Sequence, residues 1–171
     1  MPTIPGEFVY TTYINTTPER LWQALTEPSF TRRYWGLSIE SDWTAGSPFA
    51  VVLDQGGVRI ADPEQVVLES EPHRRLAYTW HTFTPEWAQA YGFAEDFQRK
   101  LASEPRSKVT FEIERVGPMV KLTVRHDGFE PGSAVLEGIS QGWPVILASL
   151  KTLLETGEPL PSPQPEPAQA G

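Results

Sequence analysis

The sequence predicts an α+β fold in which a curved antiparallel sheet wraps around a long C-terminal helix. Three observations carry that expectation. Apolar residues between positions 49 and 124 recur mostly at every second place, the period of strands buried on one face. From Val135 to Leu154 they recur at spacings of three, four and one instead, which makes a broad helical stripe. Two short helix signatures follow the first strand, at Thr17-Pro18 and at Pro28.

The elements follow in order. Phe8 to Ile14 mixes β-branched and aromatic residues and predicts a strand. Thr17 offers a capping hydroxyl and Pro18 a first helical residue with fixed φ, so a short helix runs through Leu21, Trp22 and Leu25 to about Thr26. A second helix starts at Pro28, carries Phe30, Tyr34 and Trp35, and stops at Gly36. Phe49, Val51 and Leu53 form a strand that turns at Gly56-Gly57. Val58 and Ile60 precede a break at Pro63. Val66 and Leu68 resume the alternation, and Leu76, Tyr78 and Trp80 form the next strand. Val109, Phe111 and Ile113 alternate before the Gly117-Pro118 turn, and Val120, Leu122 and Val124 after it.

The closing helix presents Val135, Ile139, Trp143, Ile146, Leu147, Leu150 and Leu154 on one stripe and ends at Gly157. Pro144 has no amide hydrogen to give the Ser140 carbonyl, so this helix is expected to bend there or to start late. Residues 158–171 hold Pro159, Pro161, Pro163, Pro165 and Pro167 and no aromatic residue. Such a segment buries too little apolar surface to offset its ordering entropy, so a disordered tail is expected after a domain spanning 1–157.

Composition narrows the function classes. Of 171 residues, 39% are hydrophobic and 21% charged, which is globular. The net charge of −8 argues against partners that need phosphates neutralised, nucleic acid and anionic lipid alike. The absence of cysteine excludes disulfides, thiolate metal sites and thiol catalysis. His73, His81 and His126 lack metal-ligand spacing. There is no phosphate loop, dinucleotide fingerprint or nucleophile elbow. No metal or cofactor is therefore expected. With no signal-peptide pattern and no apolar run near the roughly 18 residues of a membrane span, a cytoplasmic protein is expected.

Several stretches then resemble a known family. They are Thr17-Pro18-Glu19-Arg20 with Trp22, Leu25-Thr26-Glu27-Pro28 and Tyr34-Trp35-Gly36; Asp42-Trp43 with Gly46-Ser47-Pro48-Phe49; Arg75-Leu76-Ala77-Tyr78-Thr79-Trp80; and Gly142-Trp143-Pro144 with Leu150 through Gly157. In this order they resemble the START-like (SRPBCC, helix-grip) superfamily, nearest the heat-shock protein 90 ATPase activator homologue branch, over residues 8 to 157. The resemblance implies the helix-grip fold with a cavity between sheet and helix. It implies little chemistry, since START-like proteins include lipid carriers, hormone receptors and aromatic polyketide cyclases. In the eukaryotic co-chaperone the domain is paired with a separate chaperone-binding domain; no second domain is expected within these 171 residues, so co-chaperone activity is not carried across.

The informative chemistry is aromatic: six tryptophans, five tyrosines and eight phenylalanines. Residues 84–105 lie between two strands that a short hairpin would join. They carry Trp87, Tyr91, Ala94, Phe97 and Leu101 at helical spacing, with Pro85 before and Pro105 after. One helix over 86–102 is expected, either as a lid or as core packing. Candidate ligand-binding residues are Trp35, Trp43, Phe49, Phe83, Trp87, Tyr91, Phe111, His126, Trp143 and Leu147. His126 shares the buried parity of Leu122 and Val124, which suits either a satisfied strand-end histidine or a ligand contact. His81 has the opposite parity to Trp80 and faces solvent unless the strand bends.

The leading reading is a pocket for a small hydrophobic molecule, aromatic or acyl, in a monomer or homodimer. The alternatives are a polyketide-cyclase-like enzyme, with His126 assisting proton transfer, and a module whose groove receives a protein segment. A closed pocket favours the first two and an open groove the third.

Overall fold

A computed structural model describes residues 6–161 of the chain. The first strand, β1 (Glu7–Ile14), leads into α1 (Pro18–Thr26) and α2 (Pro28–Trp35). The local chemistry explains both helices. Thr17 Oγ1 accepts the amide of Arg20 at 3.1 Å, Pro18 opens α1, and Gly36 takes the left-handed conformation (φ 81°) that ends α2.

Seven further strands follow: β2 (Leu37–Glu40), β3 (Ala50–Leu53), β4 (Arg59–Ile60), β5 (Val67–Glu71), β6 (Arg75–Thr79), β7 (Lys108–Val116) and β8 (Met119–Asp127). Between β6 and β7 lie α3 (Pro85–Tyr91) and α4 (Glu95–Ser103), and α5 (Ala134–Thr156) closes the domain. The strands pair antiparallel in the orders β1-β8-β7-β6-β5 and β2-β3-β4. The two sheets meet where Pro48 bridges Val66; there the Phe49 amide donates to Gln65 O (3.1 Å) and the Val67 amide to Ser47 O (2.9 Å). The joined, curved surface grips α5, as the helix-grip class requires.

The alternation sorts the faces. In β8, Val120, Leu122, Val124 and His126 are buried, while Lys121, Thr123 and Arg125 are more exposed. At Gly56-Gly57 both φ values are positive (73° and 64°), and the Leu53 amide closes the turn on Val58 O at 2.8 Å. The core gathers Ile14, Leu21, Leu53, Leu76, Phe111, Leu122, Trp143, Leu147 and Leu150.

Four expectations need correction. Strand β2 was not read from the sequence, although Leu37 and Ile39 alternate directly after Gly36. In β5 the buried residue is Val67 and Leu68 is exposed, because the register shifts between Val67 and Glu69. The single helix over 86–102 is two helices: Gly92 adopts φ 75° and caps α3, so the chain turns before α4. Of the two outcomes expected at Pro144, the late start does not occur: α5 runs through Pro144 as one element, with Ser133 capping it and Gly157 (φ 90°) ending it.

Residues 158–161 return to the domain. Glu158 approaches Arg33 at 3.8 Å, and the Leu160 amide donates to Ser149 Oγ at 3.2 Å. The rest of the expected proline-rich tail, 162–171, lies outside the described residues. No helix among the described residues is long and apolar enough to cross a membrane.

Candidate functional site

Helix α5 crosses two environments. Its C-terminal half packs on the sheet. Its N-terminal half borders a cavity of about 640 Å³, walled also by the end of α2, by Leu37 and Leu53, by Trp80, His81 and Phe83, by α3 and by α4. The first wall is aromatic: Trp35, Trp80 and Trp143 meet with ring centroids 5.2 to 6.1 Å apart. The second comes from the insertion, where Phe83, Trp87, Tyr91 and Phe93 pack in sequence and Phe97 continues from Phe93. The third is α5 itself, with Ala134, Gly138 and Gly142 at four-residue steps. A Cβ added at Gly138 or Gly142 would meet nothing within 4 Å, so the missing side chains leave open space. No lining residue carries a formal charge at neutral pH; the polar side chains are His81, Tyr91 and Gln141.

The insertion is anchored at both ends. Thr84 Oγ1 caps α3 by accepting the Trp87 amide, and Gln98 Nε2 donates to the Phe83 carbonyl. At its exit the Glu104 carboxylate accepts the Ser133 hydroxyl and the Ala134 amide (2.8 Å) at the start of α5. A negative charge suits that helix end.

Of the residues proposed from sequence, Trp35, Phe83, Trp87, Tyr91 and Trp143 stand in the wall. Trp43, Phe49, Phe111, His126 and Leu147 do not. Trp43 Nε1 donates to the Thr26 carbonyl at 2.9 Å and its ring lies against Tyr78, so it pins a loop to α1. Phe49 and Phe111 flank Tyr78 in the buried core, to which Leu147 also belongs.

His126 is fully buried. The Trp143 indole N–H donates to its Nδ1 (3.1 Å), and an indole nitrogen only donates. Nδ1 is therefore the acceptor, and Nε2 carries the proton and donates to Ser107 Oγ (2.8 Å). Burial pushes its pKa down to about 3. Both nitrogens are occupied and the ring stays neutral, which removes the ground for a proton-transfer role. Its partners are two side chains, Ser107 and Trp143, so it is the satisfied strand-end histidine of the two expected alternatives.

His81 takes the alternative that the sequence left open, a chain that bends after β6. The chain leaves β6 after Thr79 and turns His81 inward among Trp80, Phe83 and Trp87, with centroids 4.9 to 6.1 Å away. Its backbone neighbourhood is fixed. The Thr82 amide donates to Oε1 of fully buried Gln65 (2.9 Å), whose Nε2 donates to Phe49 O and Ile60 O. Arg106 donates to Trp80 O at 2.9 Å. His81 Nδ1 lies 2.8 Å from the Thr82 carbonyl, which only accepts, so Nδ1 carries the proton and Nε2 has the lone pair. Among the described residues Nε2 has no hydrogen-bond partner, yet no polar side-chain atom is sealed away unpaired. This nitrogen is therefore open to the space around it. Burial lowers the ring's pKa to about 4, so it too is neutral near pH 7.

The Activator of Hsp90 ATPase homolog 1-like protein family matches residues 15–155. The chain belongs to that family. Among solved structures, a Mesorhizobium loti protein superposes with a TM-score of 0.65 at 26% identity, covering 86% of this chain and 96% of the other. The Aha1 dimer of Colwellia psychrerythraea gives 0.63 at 20%, covering 88% and 97%. CalU16 of Micromonospora echinospora gives 0.63 at 22%, covering 92% and 77%. No curated protein matches the sequence significantly. As a member of the Hsp90 ATPase activator homologue-like family, the chain shares the helix-grip fold with these structures. Its tryptophan wall and its α3–α4 insertion must be read from its own residues.

Proposed function

We propose that this protein binds a small, neutral hydrophobic molecule, aromatic or acyl, in the cavity between α5 and the α3–α4 insertion. The observation that carries the reading is a cavity of about 640 Å³ whose lining holds no charged side chain. That volume is within the range of ligand pockets, roughly 300 to 1,000 Å³. A charged ligand would lose its hydration and find no counter-ion there.

The insertion acts as the lid in this reading. Trp87 and Tyr91 line the cavity, while Phe93 and Phe97 are 40% and 37% exposed. Exposed apolar rings beside a cavity mouth are groups that a bound ligand would help to cover. A homodimer accords with the Colwellia Aha1 structure, which is described as a dimer. A cytoplasmic location accords with the composition.

Native mass spectrometry of freshly purified protein tests the reading: a co-purified small molecule released on denaturation is expected. The neutral probe N-phenyl-1-naphthylamine should bind saturably at one site. The double substitution Trp87→Ala, Tyr91→Ala should cost probe affinity beyond its cost in stability. Unchanged affinity in the folded double variant would reduce the insertion to core packing.

A further inference from the structure

We propose that His81 Nε2 is the specificity-determining acceptor of the cavity, so that the ligand is an aromatic compound bearing a hydrogen-bond donor, of the phenol type. The inference rests on the cavity being a ligand site, and it goes beyond that by naming one atom and one chemical group. Three observations combine. The Thr82 carbonyl fixes the Nδ1–H tautomer, which leaves Nε2 able only to accept. The ring is held by its aromatic neighbours and by the Gln65–Thr82 bond, so the acceptor is in place before a ligand arrives. His81 borders both the main cavity and a small adjoining recess of about 50 Å³, into which Thr82, Glu104, Arg106 and Ser107 also face. Apolar surface and polar recess therefore meet at this residue.

The other polar groups of the wall impose no such demand. The Tyr91 hydroxyl donates or accepts, the Gln141 amide does both, and an indole N–H only donates. A side-chain nitrogen that only accepts rewards a donor and leaves a ligand without one with a desolvated, unpaired lone pair. The acceptor state is stable near neutrality, because burial keeps the imidazole from protonating.

Naphthalene and 2-naphthol separate the possibilities, because they share a ring system and differ by one hydroxyl. In a wholly apolar cavity the hydroxyl is desolvated without return, and naphthalene binds more tightly. With His81 as acceptor, 2-naphthol should bind more tightly by about fivefold to tenfold, the value of one net hydrogen bond. In His81→Phe, which keeps an aromatic ring among Trp80, Phe83 and Trp87, the order should reverse. In His81→Gln, which restores a carbonyl acceptor, the preference for 2-naphthol should return in part. If His81→Phe fails to fold, the wild-type order and the Gln variant still decide.

The two readings fail differently. If neither compound binds the wild type, the cavity reading falls and takes this inference with it. If both bind and naphthalene is preferred, only the inference falls. It falls as well if the 2-naphthol preference survives His81→Phe and is lost only in Tyr91→Phe.

Discussion

The two halves of α5 are one continuous helix with opposite tasks. After Pro144, Leu147, Leu150, Leu153 and Leu154 are all buried against the sheet. Before it, Gly138 and Gly142 leave gaps on the cavity side between Val135, Ile139 and Trp143. Trp143 belongs to both: it lines the cavity, and its indole N–H fixes the neutral form of buried His126. Stability is concentrated where side chains interlock, and room for a ligand exists where the helix withholds them. A family fold can thus keep its core while the other half of the same helix sets the volume.

The largest expected difference between the halves is in stability. Leu150→Ala should cost about 2 to 5 kcal/mol, since it empties a site with 0% exposure. Urea unfolding measures it, and probe affinity per folded molecule should not change. A comparable loss of probe affinity would show that the two halves are not separable.

The seam between the halves should make stability depend on pH. His126 and His81 have folded pKa values lowered to about 3 and about 4, against about 6.5 in an unfolded chain. Unfolding therefore takes up protons in that window. The stabilisation is complete above about pH 6.5 and is lost as pH falls toward the folded values. Each histidine contributes a slope of about 1.4 kcal/mol per pH unit inside the window. Urea midpoints at pH 7, 6 and 5 should fall steadily, and His81→Phe should flatten the trend. A level profile would mean that the rings are not held neutral.

The smallest effect has the opposite sign. Gly138→Ala should stabilise α5 by about 0.5 to 1 kcal/mol, because the added methyl meets no neighbour and glycine is a poor helix former. A lowered melting temperature would show that a glycine is needed there for packing.

The sheet, the caps and the long helix were legible because each rests on local chemistry: Thr17 with Pro18, Gly36, the Gly56-Gly57 pair, and the period-two strands around Phe111 and Leu122. The cavity was only partly legible. Its aromatic wall could be named from residue type and spacing, which also swept in Trp43, Phe49 and Phe111, aromatic residues with purely structural partners. The open volume depends on what Gly138 and Gly142 lack, and absence leaves a weak sequence signal. The Leu68 error came from carrying period two across a bulge, and the side of His81 depended on a bend after β6 that period two does not reveal. The insertion was misread because its apolar spacing continues across Gly92, while its backbone does not. That glycine was the signal available.

The central claim is that the side chains missing at Gly138 and Gly142 leave room along α5 for a ligand, and one substitution addresses it directly. Gly142→Leu places a side chain into space that is empty within 4 Å of its Cβ, on a helix that leucine favours. Titration of wild type and variant with N-phenyl-1-naphthylamine, beside thermal melts of both, is the measurement. The account predicts saturable one-site binding to the wild type and at least about tenfold weaker binding to a variant that melts no lower, since the lost cavity surface is worth more than about 1.4 kcal/mol of apolar contact. Equal affinity in the two proteins, or no saturable binding to the wild type, would contradict it.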